Sequence, residues 1–170
     1  QLQSKLVRQF SLSSQPEGCA ADDLNQQLFV GEENAGIWQI DARPDASTEL
    51  RLVAKIGKQI KADVEGIAIY QGAKNHYLVV SSQGDNSYAI FDTVAPFRYR
   101  GSFKIGINNR LGIDGSSETD GLEVSSQDFG GVFKEGMLVV QDGHNVLPSE
   151  AQNFKYIDWQ QIRKALNLEH

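Results

Sequence analysis

An acid–glycine pair followed by short hydrophobic segments recurs three times along this chain of 170 residues. The pairs are Glu17-Gly18, Glu65-Gly66 and Asp120-Gly121, so the second begins 48 residues after the first and the third 55 residues after the second. Periods of about 40–50 residues, with four short strands in each repeat, are typical of β-propeller blades. This periodicity constrains the fold more than any other feature of the sequence.

Each repeat continues with two further strand-like segments. The second strands begin at Leu28, Leu78 and Leu138, and the third strands cover residues 37–40, 88–91 and 154–157. Residues 50–56 and 99–105 are predicted to be outer fourth strands, and residues 6–12 the outer strand of a preceding blade. The prediction is therefore an all-β protein with about three blades, each a four-stranded antiparallel sheet. An antiparallel sandwich is the alternative, but it does not explain the recurring acid–glycine pair.

Helical periodicity is confined to the end of the chain. There Asp158 is predicted to cap a short helix that carries Trp159, Ile162 and Leu166 on one face. Residues 168–170 are interpreted as the start of a purification tag, which leaves residues 1–167 as the predicted domain. The chain begins at Gln1, as a mature or trimmed form would.

Composition narrows the classes of partner. Hydrophobic residues make up 40% and charged residues 22%, which is typical of a globular protein. A formal net charge of −6 argues against nucleic acid and anionic membranes as partners, because both attract basic surfaces. The single cysteine, Cys19, cannot form an intrachain disulfide, and its small neighbours predict a buried position. No Ser-His-Asp, HExxH or P-loop pattern is present.

Acids at the blade starts predict a metal site. The first strand of every propeller blade lines the central channel, so Glu17, Glu65 and Asp120 are predicted to be neighbours. Two carboxylates about 5 Å apart repel by roughly 3 kcal/mol at an effective dielectric constant of about 20. Several carboxylates this close cannot all stay ionised unless a cation lies between them; without one, their pKa values must rise strongly. The residues that follow the second strands are predicted to form an adjacent ring: Glu33, Gln83 and Asp142.

The predicted ligand set contains only oxygen donors, since the amides of Gln83 and Asn145 join the carboxylates. Such hard ligands favour calcium, followed by magnesium or manganese, over zinc. Residues 114–121 form a second acidic segment that resembles a calcium loop. It is not an EF-hand, because Thr119 occupies the position of the required glycine and no helices flank it. A solvated loop of Asx turns is the alternative for this segment.

Several stretches closely resemble the bacterial β-propeller phytases, and together they span nearly the whole chain in order. They are residues 17–23 (EGCAADD), 63–66 (DVEG), 81–90 (SSQGDNSYAI), 118–121 (ETDG), 140–145 (VQDGHN), and 153–155 (NFK) with Trp159. The resemblance implies a secreted or periplasmic six-bladed propeller, of which this chain is the C-terminal half. It also implies an enzyme that releases phosphate from calcium phytate or another phosphomonoester.

By residue matching, the resemblance implies that several calcium ions are held by Glu17, Glu33, Asp63, Glu65, Gln83, Asp114, Asp120 and Asn145. Among these, Glu17, Glu33 and Glu65 would surround the ions that activate the attacking water. The basic residues and tyrosine that grip substrate phosphates in the family have no counterpart here, so the substrate-binding residues of this chain are unknown. We therefore expect the chain alone to be nearly inactive.

Two other functions stay open from the sequence. The chain is alternatively a non-catalytic calcium- and phosphate-binding propeller module, or a structural propeller that uses calcium for rigidity. An incomplete ring leaves its first and last blades uncovered. The expected consequence is self-association, for instance of two halves into one ring, or an aggregation-prone monomer.

Overall fold

The computed structural model describes residues 3–169, which fold into three antiparallel sheets. The first sheet has the order β1-β2-β3-β4, the second β5-β6-β7-β8 and the third β11-β10-β9. The strands of the first sheet are β1 (Pro16–Asp22), β2 (Gln27–Glu32), β3 (Gly36–Asp41) and β4 (Arg51–Lys55). Those of the second are β5 (Val64–Gln71), β6 (His76–Ser82), β7 (Ser87–Asp92) and β8 (Tyr99–Phe103). Those of the third are β9 (Leu122–Ser125), β10 (Met137–Asp142) and β11 (Asn153–Asp158).

This architecture confirms the predicted all-β fold of partial propeller blades. Each sequence repeat forms one sheet, and chain order equals strand order within it, as in a propeller blade. Two details differ from the prediction. Over residues 3–169 the third blade has three strands rather than four, and residues 6–12 form no strand. A strand needs a hydrogen-bonded neighbour, and the described part of the chain places none beside residues 6–12.

The blades stack face to face, and each interface has its own core. Between the first and second blades, Phe29 and Ile37 pack with Leu78 and Phe91, all of them almost fully buried. Between the second and third blades lies a cluster rich in aromatic residues, in which the rings of Tyr70 and Trp159 stack with centroids 4.0 Å apart. These two cores hold the inner strands β1, β5 and β9 side by side.

The predicted helix is confirmed as α1 (Trp159–Ala165), and the Asp158 side chain accepts a hydrogen bond from the backbone N–H of Gln160. Leu168 and Glu169 pack against the core between the second and third blades, although the predicted domain ends at residue 167. Leu168 is buried, and the backbone of Glu169 exchanges hydrogen bonds with the Tyr77 hydroxyl. Their origin as a tag remnant stays a prediction, and His170 lies outside the described residues. Within residues 3–169, no helix has the length and hydropathy that crossing a membrane would require.

Cys19 is exposed, so the prediction of a buried cysteine is wrong. The neighbouring positions Gly18 and Ala20 lie on the opposite side of β1, and strand alternation therefore directs Cys19 away from the second blade. In a longer ring a preceding blade would cover that face. In the chain as described, the face is open.

Candidate metal centre

The glycines of the first two acid–glycine pairs allow neighbouring inner strands to approach closely. A Cβ atom on Gly66 would lie 2.8 Å from the backbone nitrogen of Leu122 and 2.9 Å from the carbonyl oxygen of Asp120. A Cβ on Gly18 would collide with the carbonyl oxygen of Glu65. Only glycine fits at these two contacts. The pairing of glycine with an acid therefore brings the acids of successive blades together.

Three carboxylates meet closely at this point. Single oxygen atoms of Glu33, Asp63 and Glu65 all lie within 4.8 Å of one another. Glu33 lies in the turn after β2, Asp63 directly precedes β5, and Glu65 is inside β5. Backbone hydrogen bonds fix their relative positions, because Val64 N–H donates to the carbonyl of Glu33 (3.3 Å) and Gln83 N–H to that of Asp63 (3.0 Å).

The electrostatics of this cluster are unfavourable for charged carboxylates. Burial, followed in order by the negative charges of Glu17, Asp120, Asp63 and Glu33, raises the pKa of Glu65 to about 7. Its side chain is 9% exposed, so water screens these charges weakly. The group therefore holds a proton at a pH where an ordinary glutamate is ionised, unless a cation replaces that proton.

Two further predicted ligands adjoin the cluster. The side-chain amide of Gln83 donates to Asp120 Oδ1 at 2.7 Å, and the Asp120 backbone N–H donates to the Gln141 side chain at 2.9 Å. Glu17 accepts a hydrogen bond from the Gln15 amide. The structure thus gathers six of the eight residues predicted as ligands: Glu17, Glu33, Asp63, Glu65, Gln83 and Asp120.

The other two predicted ligands, Asp114 and Asn145, surround an ammonium group. Lys155 Nζ lies 2.5 Å from Asp114 Oδ1, 2.9 Å from Asn145 Oδ1 and 3.1 Å from Asp142 Oδ2. Backbone N–H groups of Val146 and Leu147 also donate to Asp114. A lysine thus compensates these acids, and a role for Asp114 and Asn145 as calcium ligands stays a prediction.

Asp142 was predicted in the second ring beside Glu33 and Gln83, and this position is wrong. Its side chain is fully buried, pairs with Lys155 and accepts a hydrogen bond from the backbone N–H of Ser117 at 3.0 Å. Asp142 is the last residue of β10, four positions after Leu138, whereas Glu33 and Gln83 lie five positions after the corresponding leucines and just beyond their strands. Strand alternation therefore turns it to the other side of the sheet.

Sequence reasoning missed several charged residues inside the structure, among them Lys155 and Glu32. Lys155 is 6% exposed although its neighbours Phe154 and Tyr156 are exposed, an inverted pattern that could have revealed a buried ion pair. Glu32 is 1% exposed and accepts hydrogen bonds from Ser13, Ser14 and Trp38. Burial raises the pKa of Glu32, but these hydrogen bonds outweigh it and lower the pKa to about 2. The sequence carries no signal that distinguishes Glu32 from Glu33.

The donor chemistry of the cluster fits a hard divalent cation. Its ligand atoms are carboxylate and amide oxygens, and the charges that shift Glu65 are all negative. A divalent cation would remove the repulsion that raises this pKa. Calcium accepts six to eight oxygen ligands in flexible geometry, which suits side chains contributed by three blades.

Comparison with known proteins gives two findings. The family model described as Phytase matches residues 1–170. The 3-phytase of Bacillus subtilis (strain 168) is 39% identical over 166 residues, which cover 95% of this chain and 43% of that protein. The chain thus spans less than half the length of this curated relative.

Proposed function

Because the chain belongs to the phytase family, we propose that it supplies the calcium-binding part of an enzyme that hydrolyses phosphate monoesters of phytate. The observation that carries the proposal is the convergence of Glu33, Asp63 and Glu65, with Glu17 and Asp120 close enough to act on the Glu65 pKa. A chain with a net charge of −6 repels a polyphosphate unless cations lie between them.

The residues divide into two roles in this proposal. Glu17, Glu33 and Glu65 would hold the calcium ions that activate water, and Asp63, Asp120 and Gln83 would complete and orient the set of ligands. Calcium bound there would supply Lewis-acid chemistry, which makes water more acidic and polarises phosphate oxygens, and positive charge that attracts a polyphosphate. Gln83 keeps Asp120 in position through its amide hydrogen bond. The buried Glu65 would bind a cation as a carboxylate, so we expect cation binding to release its proton.

A binding module is the second candidate function. Its support is the charge around Glu65. The pKa of Glu65 is raised by burial and by four negatively charged neighbours, and the causes of this shift include no lysine or arginine. Such a site is compatible with phosphate binding through calcium alone. Catalytic turnover of phytate also needs groups that bind and position the substrate phosphates. We expect the isolated chain to bind calcium phytate and to turn it over slowly. A secreted or periplasmic location accompanies both candidates, since weak calcium sites fill where calcium is abundant.

Calorimetric titration with calcium, followed by phytate, tests the proposal. We expect calcium binding with proton release, detected as a dependence of the heat on buffer ionisation, and phytate binding only in the presence of calcium. The Glu65→Gln variant should weaken calcium binding on the order of tenfold or more. The exposed Glu49→Gln variant is the matched control and should bind like the native chain.

The same titration separates the candidates. Calcium binding without any phytate binding would contradict both the enzyme and the phosphate-binding module, and would leave a structural role for calcium. Phosphate release at about 1 s⁻¹ or faster by the purified chain would contradict its expected near-inactivity and favour the enzyme. An absence of calcium binding would contradict the proposal altogether.

A further inference from the structure

A basic pocket of about 480 Å³ lies between the first and second blades. The β1–β2 turn, the β5–β6 turn, the β7–β8 loop and the adjoining strand ends form it. Glu65, in the acid cluster, is near the start of β5, whereas the pocket lies beyond Gln71, the last residue of that strand. Six residues of strand therefore separate the two sites by roughly 20 Å. Four basic side chains line the pocket: Lys74, His76, Arg98 and Arg100.

The charge in this pocket is positive although the whole chain has a net charge of −6. Lys74, Arg98 and Arg100 are cations, and Asp92 is the one carboxylate among the described residues that line the pocket. Arg100 Nε donates to Asp92 Oδ1 at 2.7 Å, which leaves the terminal amino groups of Arg100 unpaired. The exposed side chains of Lys74 and Arg98 make no hydrogen bond or ion pair within residues 3–169. With His76 neutral, two positive charges are left in excess, and a dianion would balance them.

A nearly buried hydroxyl group lines the same pocket. Thr93 is only 2% exposed. Its backbone N–H donates to the carbonyl of His76 (3.4 Å), and its carbonyl accepts from the side-chain amide of Gln27 (3.1 Å). Its hydroxyl has no hydrogen-bond partner in the described part of the chain. Leaving a buried hydroxyl unpaired costs free energy, and an oxyanion bound in the pocket would accept its hydrogen bond.

Contacts with the first blade hold the β7–β8 loop in place before any ligand binds. Phe97 is buried, and its ring packs edge-to-face on Phe29 of the first blade with centroids 6.1 Å apart. Its backbone N–H donates to the carbonyl of Val94 at 2.9 Å. The N–H of Asp92 donates to the carbonyl of Arg98, also at 2.9 Å. Because the loop is anchored in its middle and at its ends, a ligand needs to order little of it.

We propose that the basic pocket binds a phosphate group without a metal ion, as the free ion or as the head group of a small phosphomonoester. Guanidinium groups donate paired hydrogen bonds to phosphate oxygens, and an ammonium group adds a mobile point charge. A phosphate group carries nearly two negative charges at neutral pH, which matches the excess charge of the pocket better than the single charge of a carboxylate. An apolar side gives room for the organic part of an ester, and it is formed by Val94, Ala95 and Pro96.

One carboxylate at the rim opposes this binding. Glu169 Oε2 accepts a hydrogen bond from the side-chain amide of Asn75 at 3.0 Å, and Asn75 lines the pocket. The hydrogen bond with Asp92 is the main cause that raises the pKa of Arg100, and the charge of Glu169 adds to it. Removing the charge of Glu169 should therefore strengthen phosphate binding, whereas removing the charge of Arg98 should weaken it. Two changes with opposite expected effects make the proposal testable.

Titration of the purified chain with inorganic phosphate in calcium-free buffer, followed by two-dimensional NMR of the backbone amides, tests the proposal. We expect saturable shifts confined to residues 74–76 and 92–100, with a Kd on the order of 1 mM for one dianion in a pocket open to solvent. Chloride at the same ionic strength should produce no such shifts. At this affinity the pocket stays nearly empty at micromolar phytate, so it does not affect the calcium-dependent titration described above.

Four variants locate the site. Arg98→Gln removes a charged hydrogen-bond donor and should weaken phosphate binding about tenfold. Arg51→Gln is the matched control, because Arg51 is exposed on β4 and does not line the pocket, and it should bind like the native chain. Thr93→Val removes only the unpaired hydroxyl, so it should keep the fold and weaken binding about threefold. Glu169→Gln should tighten binding about twofold.

Glycerol phosphate, used in place of inorganic phosphate, distinguishes the two sources of the phosphate group. Tighter binding of this ester would identify a phosphorylated small molecule as the ligand, and equal affinity would show that the pocket recognises the phosphate group alone; both results support the proposal.

Two results would overturn the proposal. One is an absence of saturable shifts up to about 20 mM phosphate. The other is an equal loss of affinity in Arg98→Gln and Arg51→Gln, which would mean that overall charge, rather than the pocket, attracts the anion. Because the titration contains no calcium, its outcome does not depend on whether the acid cluster binds calcium or whether the protein hydrolyses phytate.

Discussion

In a Lys155→Met variant, the methionine side chain has nearly the volume of lysine but leaves two buried carboxylates without their cation. Lys155 Nζ pairs with Asp114 at 2.5 Å and Asp142 at 3.1 Å, and the three side chains are 6%, 9% and 1% exposed. Each pair has a gross Coulomb energy of about 5–7 kcal/mol at an effective dielectric constant of about 20. Much of this offsets the cost of burying the charges, so we expect a net loss of about 3–5 kcal/mol in the free energy of unfolding.

The pH dependence of this loss has a definite sign. The hydrogen bond from Lys155 is the main reason that the pKa of Asp114 lies below its ordinary value of 3.8. A carboxylate with a lowered pKa stabilises the fold above its ordinary pKa, and this contribution disappears as pH falls through the lowered value. Native chain and variant should therefore differ most near pH 7. The difference should narrow below pH 3.8.

Urea unfolding at fixed protein concentration, followed by circular dichroism, measures the effect. Lys58→Met is the matched control, because Lys58 is exposed, and it should change the free energy of unfolding by less than about 0.5 kcal/mol. A loss below about 1 kcal/mol for Lys155→Met at neutral pH would refute the reasoning, since it would mean that the two carboxylates do not depend on this lysine.

Three other predictions follow from the same contacts. In the calcium-free chain, the raised Glu65 pKa of about 7 means that the folded state binds a proton more tightly than the unfolded state, so thermal unfolding should occur at higher temperature at pH 5 than at pH 8, and a Glu65→Gln variant should lose this difference. Gly66→Ala should cost about 1–3 kcal/mol in urea unfolding because its Cβ presses on the backbone near Leu122, and it should weaken calcium binding; an unchanged midpoint would contradict the close strand approach. Glu32→Gln should cost about 2 kcal/mol, since an amide cannot accept all the hydrogen bonds that the carboxylate receives; equal stability of native chain and variant would count against that network.

The repeat made much of this fold predictable. A glycine next to an acid at regular spacing is a local signal with a tertiary cause, because Gly18 and Gly66 are required where two inner strands touch. The helix that Asp158 caps was equally predictable from the sequence, since both capping and helical periodicity depend on residues close in sequence. The repeat alone also predicted that Glu17, Glu65 and Asp120 lie near one another, and Glu17 and Asp120 are close enough to raise the pKa of Glu65.

The positions that the sequence could not decide depend on which blade covers which face. Cys19 was expected to be buried, yet it is exposed, because strand alternation directs it to the side of β1 that faces away from the second blade. Residues 6–12 have strand periodicity, but pairing requires a second backbone, and residues 3–169 place none beside them. Neither outcome can be inferred from the residues that are neighbours in the sequence.

Local sequence thus determined the period of the blades, the ends of most strands and the presence of acids on the inner strands. Tertiary structure alone decided that Lys155 contacts Asp114, Asp142 and Asn145. It also decided that Glu32 is a buried hydrogen-bond acceptor while Glu33 lies in the acid cluster. The physical reason is that strand propensity and glycine spacing act over a few residues. Charge compensation depends on which side chains, remote along the chain, come within about 3 Å when the blades stack.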